Sequence, residues 1–159
     1  MSLIVRDAAP ADAALIVGFI EALAEYEKLS HETEATPEDI SRDLFGASPK
    51  VFCSIAEWDG APAGFALWYY TYSTFQGRHG IWLEDLFVHP GHRGNGIGKA
   101  LLKSLAARCV REGLGRFEWA VLDWNQPAKD FYFAQGAIVM EDWERCRVTG
   151  DALKALGTP

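Results

Sequence analysis

Residues 92–102 read HRGNGIGKALL, and this stretch decides how the rest of the chain is interpreted. An arginine precedes three glycines within five residues, and a lysine and an apolar run follow them. Ile97, Leu101 and Leu105 recur at helical spacing, so we expect a helix that begins among the glycines. A glycine-rich loop that opens a helix presents backbone N–H groups at the positive end of the helix dipole. The stretch therefore predicts an anion site of the kind that holds phosphate.

Two common phosphate loops do not match this spacing. A P-loop needs a glycine where Arg93 stands and a hydroxyl where Ala100 stands. A Rossmann turn needs G-x-G-x-x-G near the start of its unit, whereas Gly94, Gly96 and Gly98 end on a shorter spacing and follow several predicted strands. A loop without any ligand is the third alternative, but glycines at a helix start are costly in backbone entropy without some use.

The composition limits the classes of protein to consider. The 159 residues suffice for one domain with a substantial core, and we expect a single domain over 1–159. A net charge of −7 argues against a nucleic-acid partner and favours a cationic one. No signal peptide or membrane span is predicted. Three scattered cysteines without a CxxC pair favour neither a disulfide nor a zinc site, so we expect a cytoplasmic protein without a metal.

Hydrophobic periodicity predicts alternating strands and helices, an α/β (α+β) mixture with antiparallel strands first and a strand–helix–strand unit later. An Asp59-Gly60 turn joins two of the strands as an antiparallel hairpin. Strands are expected at residues 3–8, 51–58, 63–73, 81–88 and 116–123, helices at 10–26, 37–46, 97–113 and 126–136, and a closing pair of strands at 137–143 and 144–150.

The arrangement Arg93-x-x-Gly96-x-Gly98, directly after a strand and opening a helix, resembles the acetyl-coenzyme A pyrophosphate loop of the GNAT N-acetyltransferases. The blocks LAEYEKL, GFALWYYTYSTFQG, WLEDLFV and LDWNQPAKDFY resemble, more narrowly, the diamine (spermidine/spermine) N-acetyltransferases and their thialysine-acetylating relatives. The likeness runs from about residue 4 to residue 156. It implies a GNAT fold: a mixed, mostly antiparallel central sheet with helices on both faces and a splayed strand pair that binds the cofactor. It also implies acetyl-CoA as cosubstrate and a homodimer.

The resemblance further implies a set of cofactor-binding residues. Backbone groups at the splay would pair with the pantetheine arm, the N–H of Val88 would polarise the thioester carbonyl, the glycine loop would cradle the pyrophosphate, and a later segment would line the other side. These positions are Leu86, Phe87, Val88, Arg93, Gly94, Asn95, Gly96, Ile97, Gly98, Lys99, Asn125, Gln126, Pro127 and Ala128. Tyr132 matches the general acid that protonates the departing thiolate, although the Phe131-Tyr132-Phe133 run would otherwise be interpreted as core.

A second set of positions, most of them acidic or aromatic, matches those that meet the amine in the same family. They are Tyr26, Glu27, Glu84, Glu118, Trp119, Ala120 and Glu141. An alkyl ammonium has a pKa of about 10.4, so it must lose a proton before attack, and Glu84 is the predicted acceptor, directly or through water. Strict strand alternation puts Glu84 and Asp85 on opposite faces, which leaves Asp85 between a structural and a functional role. Tyr26 and Glu27 can equally form a solvated face. Near Glu141 the chain is shorter than the polyamine acetyltransferases, so the resemblance does not fix the register of this residue.

Three functions remain open at this point. The first is acetyl transfer to a primary amine of a small polyamine or diamine. The second is acetylation of thialysine or another lysine-like amino acid, whose carboxylate requires a cation; Arg78, Lys28 and Arg145 are the candidates. The third is a non-catalytic coenzyme A-binding regulatory module.

Overall fold

A sheet in the order β1-β2-β3-β4-β5 organises the first part of the chain. Its first four strands are antiparallel neighbours, and β5 runs parallel to β4. This mixed, mostly antiparallel sheet confirms the predicted fold class. The computed structural model describes all 159 residues. In chain order the elements are β1 (Leu3–Asp7), α1 (Ala13–Tyr26), α2 (Pro37–Phe45), β2 (Phe52–Trp58), β3 (Ala61–Ser73), β4 (Arg78–Val88), α3 (Ile97–Glu112), β5 (Phe117–Trp119), α4 (Gln126–Ala134) and α5 (Gly150–Gly157).

Local sequence signals explain where several elements begin and turn. Asp59 and Gly60 both take left-handed backbone angles, φ +49° and φ +82°, which a two-residue hairpin turn requires. The Thr36 hydroxyl accepts a hydrogen bond from the Asp39 N–H at 3.2 Å, and an Asp39 carboxylate oxygen accepts one from the Thr36 N–H at 2.9 Å. This reciprocal capping box starts α2. The predicted hairpin and the predicted start of α2 are confirmed.

The sheet buries both of its faces. On one face, alternate residues of β2, β3 and β4 pack against α1 and α2 around a stack of Phe19 on Phe65, with ring centroids 5.2 Å apart. On the other face, the Arg108 guanidinium of α3 lies 5.1 Å over the ring of Trp68, and α3 buries five side chains between Ile97 and Cys109. Strand alternation places Trp68 opposite to its neighbour Leu67, which belongs to the first core. Helices therefore cover both faces, as predicted.

One ion-pair network joins β1 and β2 to the turn before α1. Arg6 donates to an Asp12 carboxylate oxygen at 2.8 Å and to a Glu57 carboxylate oxygen at 2.7 Å. Asp12 is only 9% exposed and also accepts the N–H of Ala9 at 2.7 Å. The guanidinium beside it holds the pKa of Asp12 below its ordinary value. The network thus satisfies a nearly buried carboxylate with charged and backbone donors.

The chain divides into two units, Met1–Ala120 and Val121–Pro159, and the second departs from the sequence prediction. The closing strands predicted at 137–143 and 144–150 are wrong, because neither segment joins a sheet and the second unit contains only α4 and α5. A strand requires a hydrogen-bonded neighbour, and residues 138–149 lie exposed without one. The strand predicted at 116–123 is reduced to Phe117–Trp119. None of the helices has both the length and the apolar character that crossing a membrane requires.

Candidate active site

The end of β4 has an edge that no strand covers. β4 pairs with β5 only over Ile81–Leu83, while its pairing with β3 continues to Val88. The N–H of His89 donates to the carbonyl of Ala63 at 2.8 Å. Because backbone groups alternate along an antiparallel strand, the N–H groups of Leu86 and Val88 point away from β3, toward this open edge. β4 therefore has an open edge where the sequence predicts a splay, and the free N–H groups on this edge are suited to pair with an extended amide chain or a thioester carbonyl.

Phe87 differs from its two neighbours on this strand. It is 4% exposed, its ring lies 6.2 Å from that of Phe19, and it belongs to the core between the sheet and α1. By the same alternation its backbone groups face β3. Of the three residues predicted to pair with a pantetheine arm, Leu86 and Val88 have the required orientation, and Phe87 anchors the strand.

The glycine loop that follows β4 has the geometry of an anion cradle. Gly94 and Gly96 have φ of +83° and +76°, a left-handed backbone that side chains rarely adopt, and a Cβ on either would meet nothing within 4 Å. Gly96 caps α3, whose first residue is Ile97. The N–H of Ala100 donates to the Gly96 carbonyl at 2.9 Å, so the N–H groups before it have no partner within the helix. With exposed Lys99 beside them, these groups fit a pyrophosphate without a metal.

Arg93 ties this loop to two other elements. Its Nε donates to the carbonyl of Val88 at 3.0 Å, and its guanidinium lies 4.9 Å from the ring centroid of Tyr26 at the end of α1. Asn95 closes the turn by donating from its side-chain amide to the carbonyl of His92 at 3.1 Å. The sequence predicts Arg93 for the pyrophosphate and Tyr26 for the amine. In the structure the two side chains contact each other, and those roles stay predictions.

A β-bulge collects acidic side chains next to the open edge. Leu67 pairs with Asp85 and Trp68 pairs with Leu83, so Glu84 is the extra residue on β4. The strict alternation expected from the sequence therefore fails at Glu84. Its exposed carboxylate accepts a hydrogen bond from Nε1 of Trp82 at 2.8 Å.

Asp85 is the member of this group that sequence analysis left undecided. Burial, with the neighbouring charges of Glu84 and Glu27, raises the pKa of Asp85 to about 7. Burial and the charge of Glu84 also raise the pKa of Glu27, which caps the end of α1. Three carboxylates from β4 and α1 thus face one another, an arrangement that attracts a cation and holds one group half-protonated near neutral pH. The sequence carried a signal in the Glu-Asp pair within an apolar strand, but no pattern in it revealed the bulge.

The predicted substrate residues on β5 lie one strand away from this acidic group. Glu118 is the register partner of Trp82, and Trp119 is the partner of Leu83. Ala120 follows directly after the strand. The structure thus brings Glu27 and Glu84 together and sets Glu118 beside the tryptophan that binds Glu84.

In the second unit, the predicted cofactor-lining residues form the start of α4. Asn125 is 4% exposed and caps the helix, since its side-chain oxygen accepts the N–H of Ala128 at 3.3 Å. Pro127 lies in the first turn, where its missing N–H costs nothing. The side-chain amide of Gln126 donates to Asp130 at 2.7 Å. These contacts give the four residues structural roles in α4, and their cofactor roles stay predictions.

Tyr132 lies on the same helix and Glu141 beyond it. Tyr132 is half-buried, and its ring centroid is 5.4 Å from that of Phe131. Glu141 is exposed in the irregular stretch between α4 and α5. Their predicted roles as general acid and amine ligand stay predictions.

The chain is similar to a known family and to several known proteins. The profile of the acetyltransferase (GNAT) family matches residues 16–137. The chain is 39% identical to thialysine N-epsilon-acetyltransferase of Sus scrofa over 98% of this chain and 97% of that protein. It is 31% identical to L-ornithine N5-acetyltransferase of Arabidopsis thaliana, over 96% of this chain and 86% of that protein. An integron cassette protein from the mobile metagenome of V. cholerae shares the fold, with a TM-score of 0.83 at 24% identity over 100% of this chain and 99% of that one. The chain therefore belongs to the GNAT acetyltransferase family and is an N-acetyltransferase.

Proposed function

We propose that residues 1–159 form one catalytic domain that transfers acetyl from acetyl-CoA to the terminal primary amine of a small cationic substrate by direct attack. The observation that carries this proposal is the order of features along one strand and its loop. The carboxylates of Glu84 and Asp85 come first, the open edge at Leu86 and Val88 follows, and the anion cradle comes next. Amine site, thioester site and pyrophosphate site are thus successive on the chain.

The residues of β4 and the glycine loop fit acetyl-CoA, which supplies the acetyl group as an activated thioester. The N–H of Val88 polarises the thioester carbonyl, and because it is already oriented, it stabilises the charge that develops on that oxygen without reorganisation. Residues Arg93–Lys99 bind the pyrophosphate through backbone N–H groups and the α3 dipole. Asn125–Ala128 also bind the cofactor, as the family resemblance implies.

The acidic group on β4 prepares the amine. Glu84 and Glu27 hold the ammonium by charge, and Asp85, whose pKa is raised to about 7, accepts its proton. The sequence predicts Glu84 as the proton acceptor, so the variants Asp85→Asn and Glu84→Gln separate the two assignments. Tyr132 protonates the departing thiolate. Direct attack by the amine requires no nucleophilic thiol, and burial raises the pKa of the Cys53 thiol to about 12, which keeps that thiol protonated.

Two classes of amine fit this proposal. The acidic positions suit a polyamine or diamine, which the sequence blocks favour. The relatives named for thialysine and L-ornithine favour a diamino acid instead. Both classes carry the primary ammonium that the carboxylates attract.

We also propose a cytoplasmic homodimer. The second unit leaves large apolar side chains exposed, among them Ile138 (79%), Trp143 (74%) and Leu156 (76%). A surface of this kind on a soluble chain is typical of a contact with another chain. The three cysteines are free thiols, as a reducing compartment favours. Light scattering coupled to gel filtration tests the dimer, and a monomer mass over the micromolar range contradicts it.

The direct test of the activity is turnover with a panel of amines. Purified protein is mixed with acetyl-CoA and each amine, and release of the coenzyme A thiol is followed against a blank without amine. We expect saturable turnover with at least one primary amine, and a Tyr132→Phe variant that loses kcat while its affinity for acetyl-CoA is unchanged. Release no faster than hydrolysis with every amine refutes the proposal. A Tyr132→Phe variant with unchanged kcat removes the tyrosine from the mechanism.

A further inference from the structure

A polar cavity opens on the sheet beyond the acidic group, toward the hairpin end of β3 and β4. It is an open depression with a volume of about 50 Å³. Its lining includes Thr71, Ser73, Arg78, Gly80, Arg116 and Glu118. None of these residues takes part in the cofactor site described above.

Gly80 keeps the floor of this cavity open. A Cβ at Gly80 would lie 2.7 Å from the carbonyl oxygen of Arg116 and 3.0 Å from the hydroxyl oxygen of Thr71. A larger residue there would have to push β5 away or fill the depression. The N–H of Ile81 donates to the same Arg116 carbonyl at 2.9 Å, and this hydrogen bond holds the Arg116 backbone close to Gly80. The close strand contact and the depression both depend on the missing side chain.

The charged groups of the cavity are available to a ligand. Arg78 and Arg116 are exposed, and neither guanidinium makes an ion pair or a side-chain hydrogen bond within the chain. Glu118, half-buried, is the single carboxylate in the lining. Two guanidinium groups beside one carboxylate match a zwitterion, because arginine binds carboxylates in a fork and the acid binds an ammonium.

The sheet register gives the distance from the cavity to the reacting amine. On one face, Asp85 lies in the row of Leu67, Glu118 lies in the row of Tyr69, and Gly80 lies in the row of Thr71. Successive rows on a face are two residues apart, or about 7 Å. An extended diamino acid of lysine length separates its terminal nitrogen from its α-carbon by about 6 Å. With the terminal nitrogen at Asp85, the α-carbon therefore reaches Glu118 and the carboxylate points to the arginines.

We propose that this cavity binds the α-carboxylate of a free diamino acid between Arg78 and Arg116, with Glu118 on its α-ammonium, while its terminal amine lies at Glu84 and Asp85. The inference rests on the proposed acetyl transfer and adds the substrate class. A polyamine of equal length lacks the carboxylate and brings a second cation to the two arginines. The cavity thus selects amino acid over diamine.

Two substrate pairs that differ only in the carboxylate test this inference. They are lysine with 1,5-diaminopentane and ornithine with 1,4-diaminobutane, and kcat/KM is measured for each. We expect the wild type to prefer the amino acid by at least about tenfold, since a hydrogen bond to a charged group contributes about 1.5–3 kcal/mol. Replacing both arginines (Arg78→Gln with Arg116→Gln) should lower the ratio of amino acid to diamine by about 100-fold, chiefly through KM for the amino acid. The matched control Arg111→Gln, on the last turn of α3, leaves the ratio unchanged.

The outcomes distinguish this inference from the proposed function. A wild type that acetylates both members of each pair equally, or prefers the diamine, overturns the carboxylate site and leaves acetyl transfer intact. The carboxylate site is also overturned if the double variant, with a melting temperature equal to that of the wild type, loses kcat/KM equally for the amino acid and the diamine. If no member of either pair is acetylated, the proposed function fails, and this inference fails with it.

Discussion

Replacing Asp85 with asparagine should change the shape of the pH–rate profile as well as its height. In the wild type, the bound ammonium gives its proton to Asp85, whose pKa is raised to about 7. We therefore expect kcat/KM for the amine to rise about tenfold per pH unit below pH 7 and to level off above it. The plateau persists because the substrate enters as the ammonium, which is the dominant form up to a pH of about 10.

The variant lacks this base and can use only amine that is already neutral. At pH 8 about one amine in 250 is neutral if its pKa is about 10.4. At this pH we expect kcat/KM of the variant to be lower than that of the wild type by a factor of about 250, which lies within the range of about 10²–10⁴ that general bases contribute. The profile should then keep rising, without a plateau, until the pH approaches 10. Thiol release at saturating acetyl-CoA and constant ionic strength measures both curves.

Glu84→Gln provides the comparison, because the charge of Glu84 helps to raise the pKa of Asp85. Removing the charge of Glu84 should move the rising, acidic part of the pH–rate profile (the acidic limb) to lower pH and leave the plateau in place. The limb should stay well above the ordinary carboxyl value of 3.8, since burial is the largest cause of the shift. An Asp85→Asn variant with an intact plateau that begins near pH 7, and with an unchanged melting temperature, would refute the assignment. In that case the result favours Glu84 as the base.

Three further predictions concern stability and the cofactor loop. Asp12→Asn should lower the free energy of unfolding at pH 7 by about 2 kcal/mol in urea titrations. Because the pKa of Asp12 is lower in the folded state than its ordinary value of 3.8, this difference from the wild type should disappear as the pH falls from 3.8 through the folded-state pKa. Gly96→Ala should lower the stability by about 1–2 kcal/mol and weaken coenzyme A binding in calorimetry, because Gly96 has a φ of +76°. Its control is Gly18→Ala: Gly18 is exposed within α1 with open space around it, so this variant should be more stable than the wild type by about 0.5–1 kcal/mol. Arg93→Lys should raise KM for acetyl-CoA by about tenfold in steady-state assays and leave the pH limb unchanged, because lysine keeps the charge but loses the Nε hydrogen bond and the planar stacking on Tyr26.

Features determined by local chemistry could be predicted from the sequence. The Asp59-Gly60 turn, the Thr36 cap and the glycine-opened helix each depend on a few consecutive residues whose backbone preferences agree. The alternation of apolar residues gave the strands of the hairpins. A splay beside β4 was expected from the family resemblance, and the structure shows the open edge that follows the end of the β4–β5 ladder at Leu83.

Features determined by pairing between distant segments were missed. The strands expected at 137–143 and 144–150 have suitable residues but no partner strand, and periodicity contains no information about partners. The cavity between Arg78 and Arg116 depends on a register that joins β4 to β5 across more than thirty positions of sequence. Arg78 is among the carboxylate ligands that the sequence predicts, but nothing in the pattern associates it with Arg116.

The bulge at Glu84 accounts for two features of the active site at once. In a regular strand, Glu84 and Asp85 would point to opposite faces, and only one carboxylate could serve the amine. Burial is the largest cause of the raised pKa of Asp85, and the extra residue lets the charges of Glu84 and Glu27 add to it. A bulge also bends its strand and increases the twist, and β5 stays paired with β4 only up to Leu83, directly before it. An amine held by Glu84 and Asp85 is then only a few residues along the strand from the free N–H groups of Leu86 and Val88, so no separate element is needed to bring base and thioester together.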